Sequence, residues 1–115
     1  ATNPVLADDP EVEAFHTWRK KYLPEADPAD GCLPYSYMQT ALLVQVLKQC
    51  GGDLSRENVM RQARNLRDVR LPLLLRGIKV DTSETDYRPI ETMHYLRFDG
   101  TSWVPTGESM REGAP

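Results

Sequence analysis

Histidine and cysteine are the residue types in this chain best suited to chemistry, and their spacing supports little of it. The histidines are His16 and His94, and the cysteines are Cys32 and Cys50. Neither histidine has a recognisable sequence partner with which to form a catalytic pair. Neither cysteine belongs to a CxxC or HxxxH pattern, the spacings typical of metal sites. We therefore expect no metal, no cofactor and no catalytic residue.

Acidic pairs are confined to predicted loops, at Asp27 with Asp30 and at Glu84 with Asp86. Solvated loop acids are common, so a catalytic carboxylate pair is the weaker interpretation. The sequence also lacks a phosphate-binding glycine loop, a GxSxG nucleophile motif and an HExxH metal motif. The chain is therefore expected not to be an enzyme.

Arginines supply the main asymmetry of charge in the middle of the chain. Arg61, Arg64 and Arg67 fall within roughly a third of a helix circumference at ~100° per residue. One interpretation is that these arginines form the solvated outer face of the helix. The alternative is that they form a binding patch for an anion or a partner. A net charge of −3 and the absence of interleaved aromatic residues argue against nucleic acid. The other members of the set are Arg56, Arg70 and Arg76.

Two tyrosines, Tyr35 and Tyr37, flank Ser36 at the start of the most apolar segment. A tyrosine combines an apolar ring with one hydrogen-bonding end, which suits a small amphipathic ligand. The alternative is that one tyrosine belongs to the core and the other caps a loop. Trp103, on a predicted hairpin strand, is expected in the core rather than on a ligand.

The elements that position these residues begin with two helices. Asp9, Pro10 and an apolar residue every three or four positions predict a first helix that ends near Leu23. An acidic surface loop follows at residues 24–31. A second helix is predicted from about Pro34 to Cys50, apolar around most of its circumference and so expected to be buried on more than one side.

A continuous second helix also bears on the cysteines. It would hold Cys32 and Cys50 roughly 25 Å apart. A disulfide needs Cα atoms within about 7 Å of each other. We therefore expect two free, semi-buried thiols.

The second half of the chain predicts one more helix and several short strands. Ser55 caps a third helix over residues 56–66, and residues 77–80 suggest a short strand. Strands at residues 92–98 and 102–105 are joined through an Asp-Gly pair, a strong hairpin signal. Residues 107–115 are expected to be a polar, frayed tail.

The bulk composition is that of a soluble globular protein of one domain at most, with 115 residues, 40% apolar and 27% charged. No apolar run approaches the ~20 residues needed to span a bilayer. The first ten residues lack the basic and apolar regions of a signal peptide. We expect that any such signal has been removed or lies upstream.

Short motifs follow one another in a characteristic order between Asp9 and Gly107. They are YLP at 22–24, YSY at 35–37, QTA at 39–41, VLKQCG at 46–51, RENVM at 56–60, LLL at 73–75 with GI at 77–78, DYRPI at 86–90 and LRFDG at 96–100. Together they resemble the C-terminal part of the solute-binding proteins of branched-chain amino acid ABC transporters. Arg76 departs from that pattern, in which a proline is usual.

The resemblance implies an α/β fold: the C-terminal portion of a two-lobed type I periplasmic-binding-protein fold, with three helices, short strands and a C-terminal hairpin. Residues 1–115 would be a single partial domain, in which 9–80 belong to a helical lobe and 92–106 to a hairpin near the hinge or second lobe. Such receptors are exported to the periplasm and bind an amino acid or another small carboxylate for an ABC permease. The implied ligand-binding residues are Cys32, Leu33, Tyr35 and Tyr37.

Two functions follow as expectations. The first is a fragment or truncated form of a solute-binding receptor, poorly competent to bind ligand alone. The second is a self-associating structural or interaction module without a ligand, which would form a homo-oligomer. Both rest on an apolar second helix that the rest of the chain is not expected to enclose. Full burial of Met38, Leu42 and Leu47 would contradict this expectation.

Overall fold

The computed structural model describes residues 8–111 and contains three helices followed by a two-stranded antiparallel sheet. This confirms the mixed α/β class, with three helices and a two-stranded C-terminal hairpin. Residues 1–7 and 112–115 lie outside the described part. The elements are α1 (Pro10–Tyr22), α2 (Cys32–Cys50), α3 (Arg56–Ala63), β1 (Thr92–Phe98) and β2 (Trp103–Arg111).

Helix α1 begins and ends as its sequence predicts. The side chain of Asp9 accepts a hydrogen bond from the backbone N–H of Glu11 at 2.9 Å, and Pro10 occupies the first helical position. Acids in the first turn and bases in the last complement the helix dipole. Val12 and Phe15 are the buried residues of this helix.

Helix α2 starts at Cys32, two residues before the predicted start at Pro34. A proline is tolerated within the first turn, where backbone N–H groups have no helical partner, and the Asp30 side chain accepts from the Cys32 N–H at 2.8 Å. Cys32 and Cys50 are therefore the two ends of one helix, and both are free thiols. The expected semi-burial is wrong for both, since Cys32 is exposed and Cys50 is buried.

Helix α3 ends at Ala63, three residues short of the predicted end at Leu66. The reason lies in Thr82. Its hydroxyl accepts from the Leu66 N–H at 3.0 Å and donates to the Ala63 carbonyl at 2.8 Å, and its own N–H donates to the Leu66 carbonyl at 3.1 Å. These bonds hold Leu66 outside the helical pattern while keeping it 2% exposed.

The core is small and lies on one side of α2. Its buried residues are Val46, Cys50, Leu66, Leu71 and Val80. Met38 and Leu42 are partly buried and pack against this cluster. Along the other side of α2, Leu43, Val44 and Leu47 are 53%, 43% and 37% exposed. Within residues 8–111, the most apolar helix thus keeps an exposed apolar strip along part of its surface.

The short strand predicted at residues 77–80 is wrong. Val80 forms only an isolated antiparallel bridge with Val69, with N–H to oxygen distances of 2.8 and 3.0 Å. Gly77, at φ 89°, turns the chain just before this bridge and leaves no extended run on which to build a strand. Lys79 pairs with Asp68 at 2.7 Å beside the bridge.

The C-terminal hairpin is longer than predicted. Strand β2 continues to Arg111, so the frayed tail expected from residue 107 is wrong for residues 107–111, while residues 112–115 lie outside the described part. The pairing shifts between His94 and Leu96, where Thr106 donates to the Tyr95 carbonyl at 3.1 Å. Gly107, at φ 84°, allows the strand to continue past this irregularity.

Trp103 is 56% exposed and stacks obliquely on Phe98 across the strands, with ring centroids 5.4 Å apart. The expected core position for this tryptophan is therefore wrong within the described chain. Most of the hairpin is exposed on both faces. An isolated two-stranded hairpin is only marginally stable in water. Its exposed apolar side chains are therefore available to pack against another surface.

Candidate ligand-binding groove

The four residues predicted to contact a ligand all lie in the first two turns of α2, but they divide between two faces. Leu33 and Tyr37 are four residues apart, on one side of the helix, and both line a groove. Cys32 and Tyr35 are exposed and are not part of that lining. The structure thus brings together two of the four.

The groove runs along α2 and has a volume of about 510 Å³. Residues along α2, from Leu33 through Val44 to Lys48, line most of its length. Trp18 of α1, Leu23 just after that helix, and Pro72 also line it. The remaining lining residues are Ser36, Tyr37, Thr40, Ala41 and Gln45.

Aromatic packing fixes the wall at Tyr37. Its ring lies 5.3 Å from that of Phe15 in an edge-on arrangement and 5.0 Å from that of Trp18. Phe15 is buried and Trp18 is half-buried, so Tyr37 joins α2 to α1 as well as facing the groove. Tyr35, which is 60% exposed, has no comparable role.

The polar groups of the groove are few. Thr40 donates its hydroxyl hydrogen to the Ser36 carbonyl at 2.9 Å, so it is already used within the helix. Lys48 lies at one end, and among residues 8–111 it has no ion-pair partner. An apolar channel with a free ammonium group at one end suits a ligand that has an apolar body and a carboxylate.

Sequence reasoning missed Trp18, Pro72 and Lys48 as lining residues. A usable signal for Lys48 was present, because positions 33, 37, 40, 44 and 48 recur every three or four residues and therefore share one helix face. The spacing of Trp18 from Val12 and Phe15 indicates only that it lies on the apolar face of α1. Pro72 lies far away in the sequence, and only the fold brings it to the groove.

The remaining candidate groups do not converge. Among residues 8–111, no cluster of three or more His, Cys, Asp or Glu residues could hold a metal ion. His16 lies beside the Phe15 ring at 5.4 Å, and His94 belongs to the hairpin. No helix in the described part of the chain is long and apolar enough to cross a bilayer.

Comparison of the chain with models of protein families, with curated proteins and with solved structures gives no significant match. The likeness to solute-binding proteins therefore rests on the short motifs and their order. A functional proposal has to be supported by the geometry of the groove and by the exposed apolar surfaces.

Proposed function

We propose that this chain contributes one wall of the ligand site of an ABC-transporter solute-binding protein. The ligand would be an amino acid or a similar small carboxylate. The observation that carries the proposal is the groove along α2, where apolar side chains lead to the ammonium group of Lys48. Such a receptor would work in the periplasm and pass its ligand to an ABC permease, as the motif resemblance implies.

The exposed apolar side chains of α2 are consistent with a ligand site that a second lobe completes. Leu43, Val44 and Leu47 form an apolar strip on the helix that also lines the groove. Contiguous apolar surface of this kind is typical of an interaction surface. In a two-lobed receptor, a second lobe would cover such a surface and close over the ligand.

A single wall predicts weak binding by this chain alone. Only part of the ligand's surface can leave water in an open groove, whereas a typical ligand site buries 70–90% of its ligand. We expect dissociation constants on the order of millimolar, equivalent to about −4 kcal/mol.

The test is an NMR titration of the isotope-labelled chain with leucine and with phenylacetate. Leucinol, which lacks the carboxylate, serves as the ligand control. Saturable shifts at residues 33–48 that weaken for leucinol are expected, and they should also weaken in Lys48→Gln. Lys20→Gln, an exposed lysine of α1 outside the groove, is the matched control and should bind as the parent does.

Two results of this titration would contradict the proposal. Micromolar binding by the chain alone would show that the site needs no second wall. An absence of shifts along α2 at tens of millimolar ligand would show that the groove is not a ligand wall. A site with a dissociation constant on the order of millimolar is nearly saturated at that ligand concentration.

Self-association without a ligand is the second candidate, and the exposed apolar side chains favour it. Those of the hairpin could be covered by a second copy, for example through exchange of strands. The exposed hairpin residues are Met93, Tyr95, Leu96, Phe98, Trp103 and Met110. Sedimentation velocity between micromolar and millimolar concentration distinguishes the two, because a monomer throughout that range would rule out a homo-oligomer.

A further inference from the structure

We propose that a second site, formed by the end of α3 and the segment around Glu84, binds a phosphate-type dianion. Arg61, Arg64 and Arg67 line one cleft there, together with Asn65 and Glu84. The volume of this cleft is about 380 Å³. It shares no lining residue with the groove along α2, so it does not depend on the proposed solute-binding function.

The three guanidinium groups form no ion pair within the described chain, although Arg61 interacts electrostatically with the Asp53 carboxyl, whose pKa is lowered first by its hydrogen bonds with Ser55 and then by this arginine. Among residues 8–111, no carboxylate lies within salt-bridge distance of Arg61, Arg64 or Arg67. Arg61 donates to the Asn58 side chain, and Arg64 donates through Nε to the Met60 carbonyl at 3.2 Å. These bonds hold two of the side chains and leave most of their N–H donors available.

The walls of the cleft are joined by buried hydrogen bonds. Thr82 is 8% exposed and lies two residues before Glu84. Its hydroxyl and backbone N–H bond to Ala63 and Leu66, which flank Arg64 and Asn65. The segment that carries Glu84 is therefore tied to the segment that carries the arginines, and both line one cleft.

The charge of the cleft selects the ligand class. Three arginines and one glutamate give a formal charge of +2, which a phosphate monoester or inorganic phosphate dianion would match. Guanidinium groups bind phosphate oxygens through paired hydrogen bonds, which a lysine ammonium cannot offer. The dianion could come from a soluble phosphate compound or from a phosphatidic acid headgroup.

The competing interpretation is that these arginines only stabilise the C-terminal end of α3. Cations there do interact favourably with the helix dipole. That role explains Arg61 and Arg64, but Arg67 lies four residues beyond the end of the helix. Stabilisation of the helix end also does not explain why these arginines and Glu84 line one cleft.

The test is a phosphate titration of the whole chain, followed by amide NMR at constant ionic strength, with acetate as the monoanion control. Saturable shifts at residues 61–67 and 84 are expected for phosphate, and much weaker ones for acetate. Arg67→Gln should weaken phosphate binding about tenfold, the equivalent of one charge-assisted hydrogen bond. Arg97→Gln, which makes the same change of charge on the exposed hairpin, should leave it unchanged.

Glu84→Gln gives the opposite prediction, because it removes the negative charge of a carboxylate that lines the cleft. Phosphate should then bind several-fold more tightly. Unsaturable shifts, equal weakening by Arg67→Gln and Arg97→Gln, or no gain from Glu84→Gln would each overturn the proposal.

Vesicle co-sedimentation distinguishes the two sources of the dianion. Retention by phosphatidic acid vesicles that is lost in Arg67→Gln would assign a lipid headgroup. Saturable phosphate binding without retention would assign a soluble compound. The absence of both would contradict the site.

Discussion

The side-chain amide of Asn58 donates a hydrogen bond to the backbone carbonyl of Cys50 at 3.2 Å, joining the start of α3 to the last residue of α2. The same nitrogen donates to the Asp53 carbonyl at 2.7 Å. The Asn58 side-chain oxygen accepts from Arg61 and from Gln62. Asn58 is 4% exposed, so one buried amide organises the whole connection between the two helices.

Replacement of Asn58 by alanine should lower the free energy of unfolding by about 2–4 kcal/mol, because the buried Cys50 carbonyl and the Asp53 carbonyl lose their donor and a small void remains. Urea denaturation monitored by circular dichroism measures this change. Gln39→Ala, at an exposed position of α2, is the control and should change stability by about 0.5 kcal/mol or less. A similar small effect for Asn58→Ala would contradict the organising role of Asn58.

Thr82 should be more sensitive to loss of its hydroxyl than to loss of its methyl group. Thr82→Val keeps the shape but leaves the Leu66 N–H and the Ala63 carbonyl without their partner, at a cost of about 1–3 kcal/mol. Thr82→Ser retains both bonds and should cost clearly less. Thermal unfolding of the pair is the measurement, and equal losses would show that packing matters more than the hydrogen bonds.

The hairpin turn should weaken in acid. Backbone N–H groups of Ser102 and Thr101 donate to the carboxylate of Asp99, at 2.8 Å each, and hold the pKa of that carboxyl below its ordinary value. The charged form therefore stabilises the folded turn at pH values above the ordinary aspartate pKa of about 3.9. That contribution is lost as the pH falls from there through the lowered value.

Amide exchange or chemical shifts of residues 99–102 between pH 7 and pH 2 test this prediction. Asp99→Asn keeps an acceptor but cannot titrate, so its turn should show no pH response in this range beyond that of neighbouring groups. A turn that is equally pH-dependent in both proteins would place the cause elsewhere.

The partial cover of α2 predicts losses of different size for two leucines, one in the buried cluster that packs against α2 and one on its exposed side. Leu66→Ala, in the buried cluster, should cost about 2–5 kcal/mol because it leaves a cavity. Leu43→Ala, at a 53% exposed position, should cost about 0.5 kcal/mol or less in the monomer. A large loss at Leu43 would mean that another copy already covers this face of α2 in solution.

Local signals predicted the helices and the hairpin turn well, because the cause of each lies within a few residues. Asp9 with Pro10, Ser55 and the Asp-Gly pair at 99–100 satisfy or redirect nearby backbone groups. The early end of α3 was missed because it depends on Thr82, which is distant in the sequence. The extent of β2 was missed because residues 107–115 were taken for a polar, frayed tail, although the positive φ of Gly107 lets the strand continue.

The site was predictable only in part for the same reason. Tyr37 was predicted from its position at the start of an apolar helix, and Leu33 was predicted from the motif resemblance. Their separation from Cys32 and Tyr35 follows from helical periodicity, which could have been applied to these four residues directly. Trp18 and Pro72 reach the groove only through tertiary packing, which no local pattern encodes.

The fluorescence of Trp18 tests the central claim most directly, since this side chain lines the proposed ligand wall. In Trp103→Phe protein, Trp18 is the only tryptophan, and its emission can be followed as leucine or phenylacetate is added. We predict a saturable change with a dissociation constant on the order of millimolar, and a weaker one in Lys48→Gln. An unchanged emission up to tens of millimolar, or a micromolar constant, would contradict a one-walled site along α2.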